Sequence, residues 1–110
     1  MEITTRTEQD VTILALAGHL DSNTSPEAQA ALDTILAGGV AKLVIDFRAL
    51  DYISSAGLRV LLGTAKRLSQ SKGALRLFGL NEAVREVFEI SGFATILTVL
   101  DTEANALKSL

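Results

Sequence analysis

Ser54 and Ser55 stand in Asp51-Tyr52-Ile53-Ser54-Ser55-Ala56-Gly57-Leu58-Arg59-Val60-Leu61-Leu62, just after the strongly apolar run Leu43-Val44-Ile45-Asp46-Phe47. Two hydroxyls and a glycine therefore mark a place where a strand hands over to a helix. Backbone N–H groups are unpaired at such a junction, and the helix dipole favours negative charge there. A serine in that position can cap the helix, attack as a nucleophile or accept phosphate. A cap is typically worth ~1 kcal/mol. Capping accounts for one serine but leaves unexplained a second polar stretch, Gly18-His19-Leu20-Asp21-Ser22-Asn23-Thr24.

A nucleophilic serine needs a base and an orienting acid. The single histidine is His19, and Asp21 or Asp46 could orient it. Ser54-Ser55-Ala56-Gly57 is not the G-x-S-x-G elbow, however, and His19 reads as an exposed loop residue beside a strand end. A small hydrolase using Ser55 and His19 is the least favoured of the readings. One histidine, no cysteine and scattered carboxylates match no metal-ligand spacing. Glycine-rich phosphate loops of the dinucleotide or Walker type are absent, so no cofactor is expected.

The elements that must position the serines follow from hydropathy. Residues 2–7 alternate weakly, Glu8-Gln9-Asp10 is turn-like, and Val11 to Ala17 is apolar on both faces; together they predict a strand pair with the second strand central. Gly18 to Thr24 is expected as a loop. Ser25-Pro26-Glu27 predicts a helix start with Ser25 as N-cap, followed by the stripe Ala28, Ala31, Leu32, Ile35, Leu36 and the stop Gly38-Gly39. Lys42 to Phe47 predicts a buried strand. After the serines, Leu58, Leu61, Leu62, Ala65 and Leu68 share one helical face. Ala74 to Leu80 predicts a strand, Asn81 the cap of a third helix ending at Ser91-Gly92, and Ile96 to Leu100 a short edge strand. Asp101 or Thr102 opens a last helix. The expected order is β-β-α-β-α-β-α-β-α: an α/β fold with a mixed, mostly parallel sheet of four to five strands and flanking helices. In such sheets the carboxyl ends of the strands form the binding edge. That brings the loop carrying Asp21 and Ser22 to the same rim as Ser54 and Ser55.

Composition narrows the class. A chain of 110 residues fits one domain, residues 1–110. Hydrophobic residues make up 48%, enough for a full core, and the formal net charge is −3. That balance argues against a nucleic-acid surface, which needs clustered Lys and Arg. No apolar run is long enough to span a bilayer, and no signal-peptide pattern opens the sequence. The expectation is a cytoplasmic domain without membrane insertion.

The ordered pieces Gly18-His19-Leu20-Asp21, Leu43-Val44-Ile45-Asp46-Phe47, Tyr52-Ile53-Ser54-Ser55-Ala56-Gly57-Leu58-Arg59-Val60-Leu61, Gly73-Ala74-Leu75-Arg76-Leu77 and Val84-Arg85-Glu86-Val87-Phe88-Glu89-Ile90-Ser91-Gly92-Phe93 resemble a bacterial anti-sigma factor antagonist, a single STAS domain. The resemblance runs from the first strand to the last helix. It implies a non-enzymatic partner switch. The unmodified protein binds an anti-sigma factor that is also a serine kinase with a histidine-kinase-like ATPase fold. Phosphorylation at the start of the second helix releases it, and a PP2C-type phosphatase restores it. The free protein is expected to be a monomer.

The family pattern is Asp-Ser-Ser/Thr-Gly-Leu, with the hydroxyl residue before Gly as acceptor. In this chain that alignment places Ala56 at the acceptor and Ser54 at the Asp. Ser55 is therefore the expected phosphorylation site, Ser54 the alternative. Partner binding is expected at Asp21, Ser22, Asn23, Ser54, Ser55, Ala56, Gly57 and Arg59, extending along the helix side that carries Gly63, Lys66 and Arg67. The alternative role is a STAS scaffold subunit of another complex, transporter-associated or stressosome-like, without reversible phosphorylation.

Overall fold

The computed structural model describes residues 1–110. The elements are β1 (Glu2–Glu8), β2 (Val11–Leu20), α1 (Ser25–Ala37), β3 (Lys42–Ile53), α2 (Ser55–Gln70), β4 (Ala74–Phe78), α3 (Glu82–Ser91), a 3-10 turn (Phe93–Thr95), β5 (Val99–Leu100) and α4 (Glu103–Lys108). The β and α elements follow the order read from the sequence. They build one five-stranded sheet in the order β1-β2-β3-β4-β5. β1 runs antiparallel to β2, and every later neighbour pair is parallel.

Strands that are apolar on both faces must be covered on both. One face of β2, β3 and β4 carries Leu14, Leu16, Leu43, Ile45, Phe47 and Leu77, packed with Leu32 of α1, Leu61 of α2 and Phe88 of α3. Phe47 and Phe88 meet edge to face, 6.1 Å between ring centres. The other face carries a smaller cluster, Val11, Ile13, Val44 and Phe78, closed by Ala106 of α4.

Three boundaries differ from the sequence reading, each for a physical reason. β2 continues through Gly18, His19 and Leu20, residues expected in a loop. Gly18 adopts φ +105°, a conformation side-chain-bearing residues rarely take, and Leu20 beyond it is fully buried. β3 likewise runs on to Ile53. Its pairing with β2 steps from Ala15↔Asp46 to Ala17↔Ala49, three residues against two, which is a bulge. A second shift follows, from Gly18↔Leu50 to His19↔Tyr52, and the two together reset the alternation so that Leu50 and then Ile53 reach the same core as Phe47. Third, Ser25 is not the N-cap of α1. It is the first helical residue and is buried, and both its N–H and its hydroxyl donate to the Asp21 carbonyl, at 2.8 and 2.5 Å.

Smaller differences concern the later elements. The last strand shortens to Val99–Leu100 and leaves Ile96 exposed. The buried arc of α2 includes Val60 and Thr64 as well as Leu58, Leu61 and Leu68, while Leu62 and Ala65 are half-buried. Thr64 satisfies its hydroxyl by donating to the Val60 carbonyl at 2.9 Å. Asn81 and Thr102 do cap α3 and α4, accepting from the backbone N–H of Val84 and Asn105.

Candidate functional site

The rim at the carboxyl ends of β2 and β3 is closed by a backbone bond. The Ser54 N–H donates to the Leu20 carbonyl at 2.9 Å, extending the β2–β3 pairing to the first residue outside the strands. The loop after Leu20 and the start of α2 are therefore neighbours.

The loop is short, because β2 takes up three of its expected residues. Asp21 organises what remains. Its Oδ1 accepts from the N–H groups of Asn23 and Thr24, at 2.9 and 3.1 Å. The Thr24 hydroxyl accepts from the Asp21 N–H at 2.9 Å and donates to the His19 carbonyl at 2.7 Å. The N–H of Thr24, then that of Asn23, hold the Asp21 carboxyl below its ordinary value. Asp21 thus folds the loop, and Ser22 and Asn23 are the side chains left exposed on it. The Asp-Ser-Asn-Thr pattern is a turn signature in its own right, since Asp and Thr side chains readily bond nearby backbone; Thr24 could have been found that way.

At the start of α2 the two serines have opposite environments. Ser54 occupies the N-cap position with extended backbone, φ −105° and ψ 176°, and its carbonyl accepts from the Leu58 N–H at 3.0 Å. Its side chain makes no capping bond. The Ser54 Oγ is buried and has no hydrogen-bond partner, contrary to the expectation that one serine would cap the helix. Ser55, the first helical residue, is exposed. Ala56 is half-buried and Gly57 buried. A Cβ at Gly57 would lie 2.8 Å from Ile53 Cγ1 and Leu20 Cγ, and 2.9 Å from the Leu20 carbonyl oxygen. Only glycine lets α2 begin this close to the strand ends.

The outward side of α2 continues from Ser55 through Arg59 and Gly63 to Lys66, all exposed. Arg67 is drawn away into an ion pair with Asp33 of α1. His19 and Tyr52 are cross-strand partners, and their rings meet edge to face at 6.0 Å. Tyr52 remains 50% exposed. This pair arises from register, which residue spacing did not reveal. No hydrogen bond joins His19 to either serine, and the Asp21 carboxylate is spent on its loop, so the residues of a triad are not assembled.

The rim is a surface rather than a pocket. Five surface depressions of about 180–450 Å³ are lined by none of Asp21, Ser22, Asn23, Ser54 or Ser55. The roomiest lies at the opposite end of the sheet, between Leu36, Val40, Arg67 and Gln70. No helix is long and apolar enough to cross a membrane.

Residues 2–106 match the family model described as the STAS domain. A Bordetella bronchiseptica protein, BtrV, named as a candidate anti-sigma factor antagonist, is 42% identical over 106 residues, covering 96% of this chain and 91% of that protein. The anti-sigma-B factor antagonist of Listeria monocytogenes is 34% identical over 88 residues, 80% of this chain and 77% of that one. Among solved structures, the Bacillus cell fate determinant SpoIIAA in its phosphorylated form shares the fold with a TM-score of 0.73 at 24% identity, over 98% of each chain.

Proposed function

The chain belongs to the STAS domain family, and we propose that it is an anti-sigma factor antagonist controlled by phosphorylation of Ser55. In this reading the unmodified protein docks, through the rim and the outward side of α2, onto an anti-sigma factor that is also a serine kinase with a histidine-kinase-like ATPase fold. Docking withdraws that factor from its client. The kinase then phosphorylates Ser55 and the complex parts. A PP2C-type phosphatase returns the protein to its binding form. The protein is a substrate and a ligand in this cycle, not an enzyme, and it works in the cytoplasm, where ATP is supplied.

One observation carries the choice of site: the hydroxyl-bearing side chain of Ser55 is exposed at the first turn of α2, whereas the Ser54 Oγ is buried. In the transfer, Ser55 Oγ attacks the γ-phosphorus of ATP. A P–O bond forms to serine, the bond to the bridging oxygen breaks, ADP leaves, and the hydroxyl proton passes to a base on the kinase. Ala56 presents only a methyl group at the family's acceptor position, so the acceptor is one residue earlier on the same turn.

The phosphate brings about −1.5 to −2 charges. At the N-terminus of α2 that charge is favourable to the domain itself. Inside an interface it must be stripped of water beside whatever the partner placed there. A penalty of about 3 kcal/mol weakens binding more than a hundredfold. The switch is therefore a local block of docking and requires no refolding.

Incubation with the cognate kinase and ATP, followed by intact mass measurement, tests the assignment. Wild type and Ser54→Ala are expected to gain one phosphate and Ser55→Ala none. Phosphate retained in Ser55→Ala would move the site. No gain in wild type would favour the scaffold reading, a STAS subunit of a transporter-associated or stressosome-like assembly.

A further inference from the structure

Five of the six arginines have a partner for the guanidinium. Arg6 meets Glu8 and Glu103, Arg48 meets Asp46, Arg67 meets Asp33, Arg76 bonds Ser109 and the Leu75 carbonyl, and Arg85 reaches Asp101. Arg59 has none, in a chain whose acids outnumber its bases by thirteen to ten. It is exposed, and it lies one helical turn after Ser55. Residues four apart on a helix have Cβ atoms about 5–6 Å apart. Long helical side chains lean toward the N-terminus and cover the preceding turn. Arg59 is thus set over the turn that begins with Ser55. A guanidinium binds phosphate through two parallel N–H bonds, a geometry an ammonium cannot reproduce.

The geometry points to Arg59 as the in-chain receptor of the Ser55 phosphate. Any helix N-terminus offers N–H groups to an anion; the unpaired guanidinium at this spacing is what distinguishes this one. The consequence deepens the proposed switch and rests on Ser55 being the modified residue. With Ser55 bare, Arg59 is a free cation on the docking surface, open to a carboxylate of the partner. With Ser55 phosphorylated, Arg59 is taken up by its own chain. One modification then adds a charge that the partner must accommodate and withdraws a cation that the partner used.

The test installs phosphoserine at position 55 by synthesis, so it does not depend on any kinase acting there. Phosphorus NMR follows the second ionisation of the phosphate in the full chain. The titratable residues at the ends of β2 and β3 that adjoin this turn in the chain, His19, Asp21, Asp51 and Tyr52, are common to every variant. Relative to wild type, Arg59→Gln is expected to raise the midpoint by about 0.3 pH unit or more. Arg59→Lys should restore part of the difference, and Lys66→Gln, which removes the next cation along the same side, should leave the midpoint at the wild-type value. A midpoint unchanged in Arg59→Gln would overturn the inference. So would an equal shift in Lys66→Gln, because any nearby cation would then suffice. Failure of Ser55 as the kinase's acceptor would appear in the mass measurement and not in this titration.

Discussion

The side chain of Ser55 is exposed on the first residue of α2, whereas the hydroxyl of Ser54 is enclosed without a partner. Negative charge at Ser55 should therefore act in opposite directions on the domain and on its complex. Ser55→Asp places a carboxylate at the helix N-terminus, where it is worth about 0.3–1 kcal/mol to the fold. The same substitution should weaken docking of the partner kinase. Denaturant midpoints and a binding titration on one preparation check both signs; a Ser55→Asp protein that unfolds more readily would contradict the charge argument. The position of the serines at the strand–helix junction was legible from residue order alone. Their difference was not. An N-cap assignment gives a place on the backbone, but whether the hydroxyl turns toward the helix depends on what packs around it. Asp21 illustrates the same limit. Its place on the rim was readable, but its engagement with the N–H groups of Asn23 and Thr24 depends on how tightly the loop closes.

Two glycines on α2 separate packing from docking. At Gly57 an added methyl collides with Leu20 and Ile53. Gly57→Ala should cost about 1–3 kcal/mol as α2 is pushed from the strand ends. At Gly63 nothing lies within 4 Å of an added Cβ. Gly63→Ala should stabilise the helix by about 0.5–1 kcal/mol, while placing a methyl on the proposed docking surface. Thermal unfolding distinguishes the two, and equal destabilisation by both would contradict this packing of α2. At this scale the sequence was most readable where one period held throughout. The cap and length of α3, both ends of β1 to within a residue, and the buried positions Leu58, Leu61 and Leu68 of α2 followed from pattern. β2 and β3 were cut short because each breaks its own pattern. Gly18 and His19 look like loop residues, and the bulge after Asp46 shifts the alternation that identifies a strand. Both extensions carry the strands to the rim, so they decide where the serines sit.

The whole molecule is a sheet with a thick core under α1, α2 and α3 and a thinner one under α4. The thinner face also holds the buried Asp46. Burial alone would raise its carboxyl. The hydrogen bonds from the Arg48 guanidinium and backbone N–H, together with the charges of Arg48 and Arg6, outweigh that and hold it below the ordinary 3.8. A carboxyl depressed by folding stabilises the fold above its unfolded value, and that contribution is lost as pH falls through the folded one. It is complete above roughly pH 5 and is lost progressively as pH falls below the ordinary 3.8 toward the depressed folded value. Asp46→Asn should lower stability at neutral pH by about 1–3 kcal/mol and flatten the loss of stability in acid. An unchanged acid slope, followed by urea unfolding across that range, would remove Asp46 from the account. None of this touches the rim, where the fold is already complete before modification. The most direct test of the proposed switch is therefore the affinity of the partner kinase for the unmodified chain and for the chain carrying phosphoserine at position 55, with backbone amide spectra of both. The account predicts a loss of about a hundredfold or more in affinity, with spectral changes confined to the first turn of α2 and the adjoining loop. Equal affinity of the two forms, or a rearranged α2 in the phosphorylated one, would contradict it.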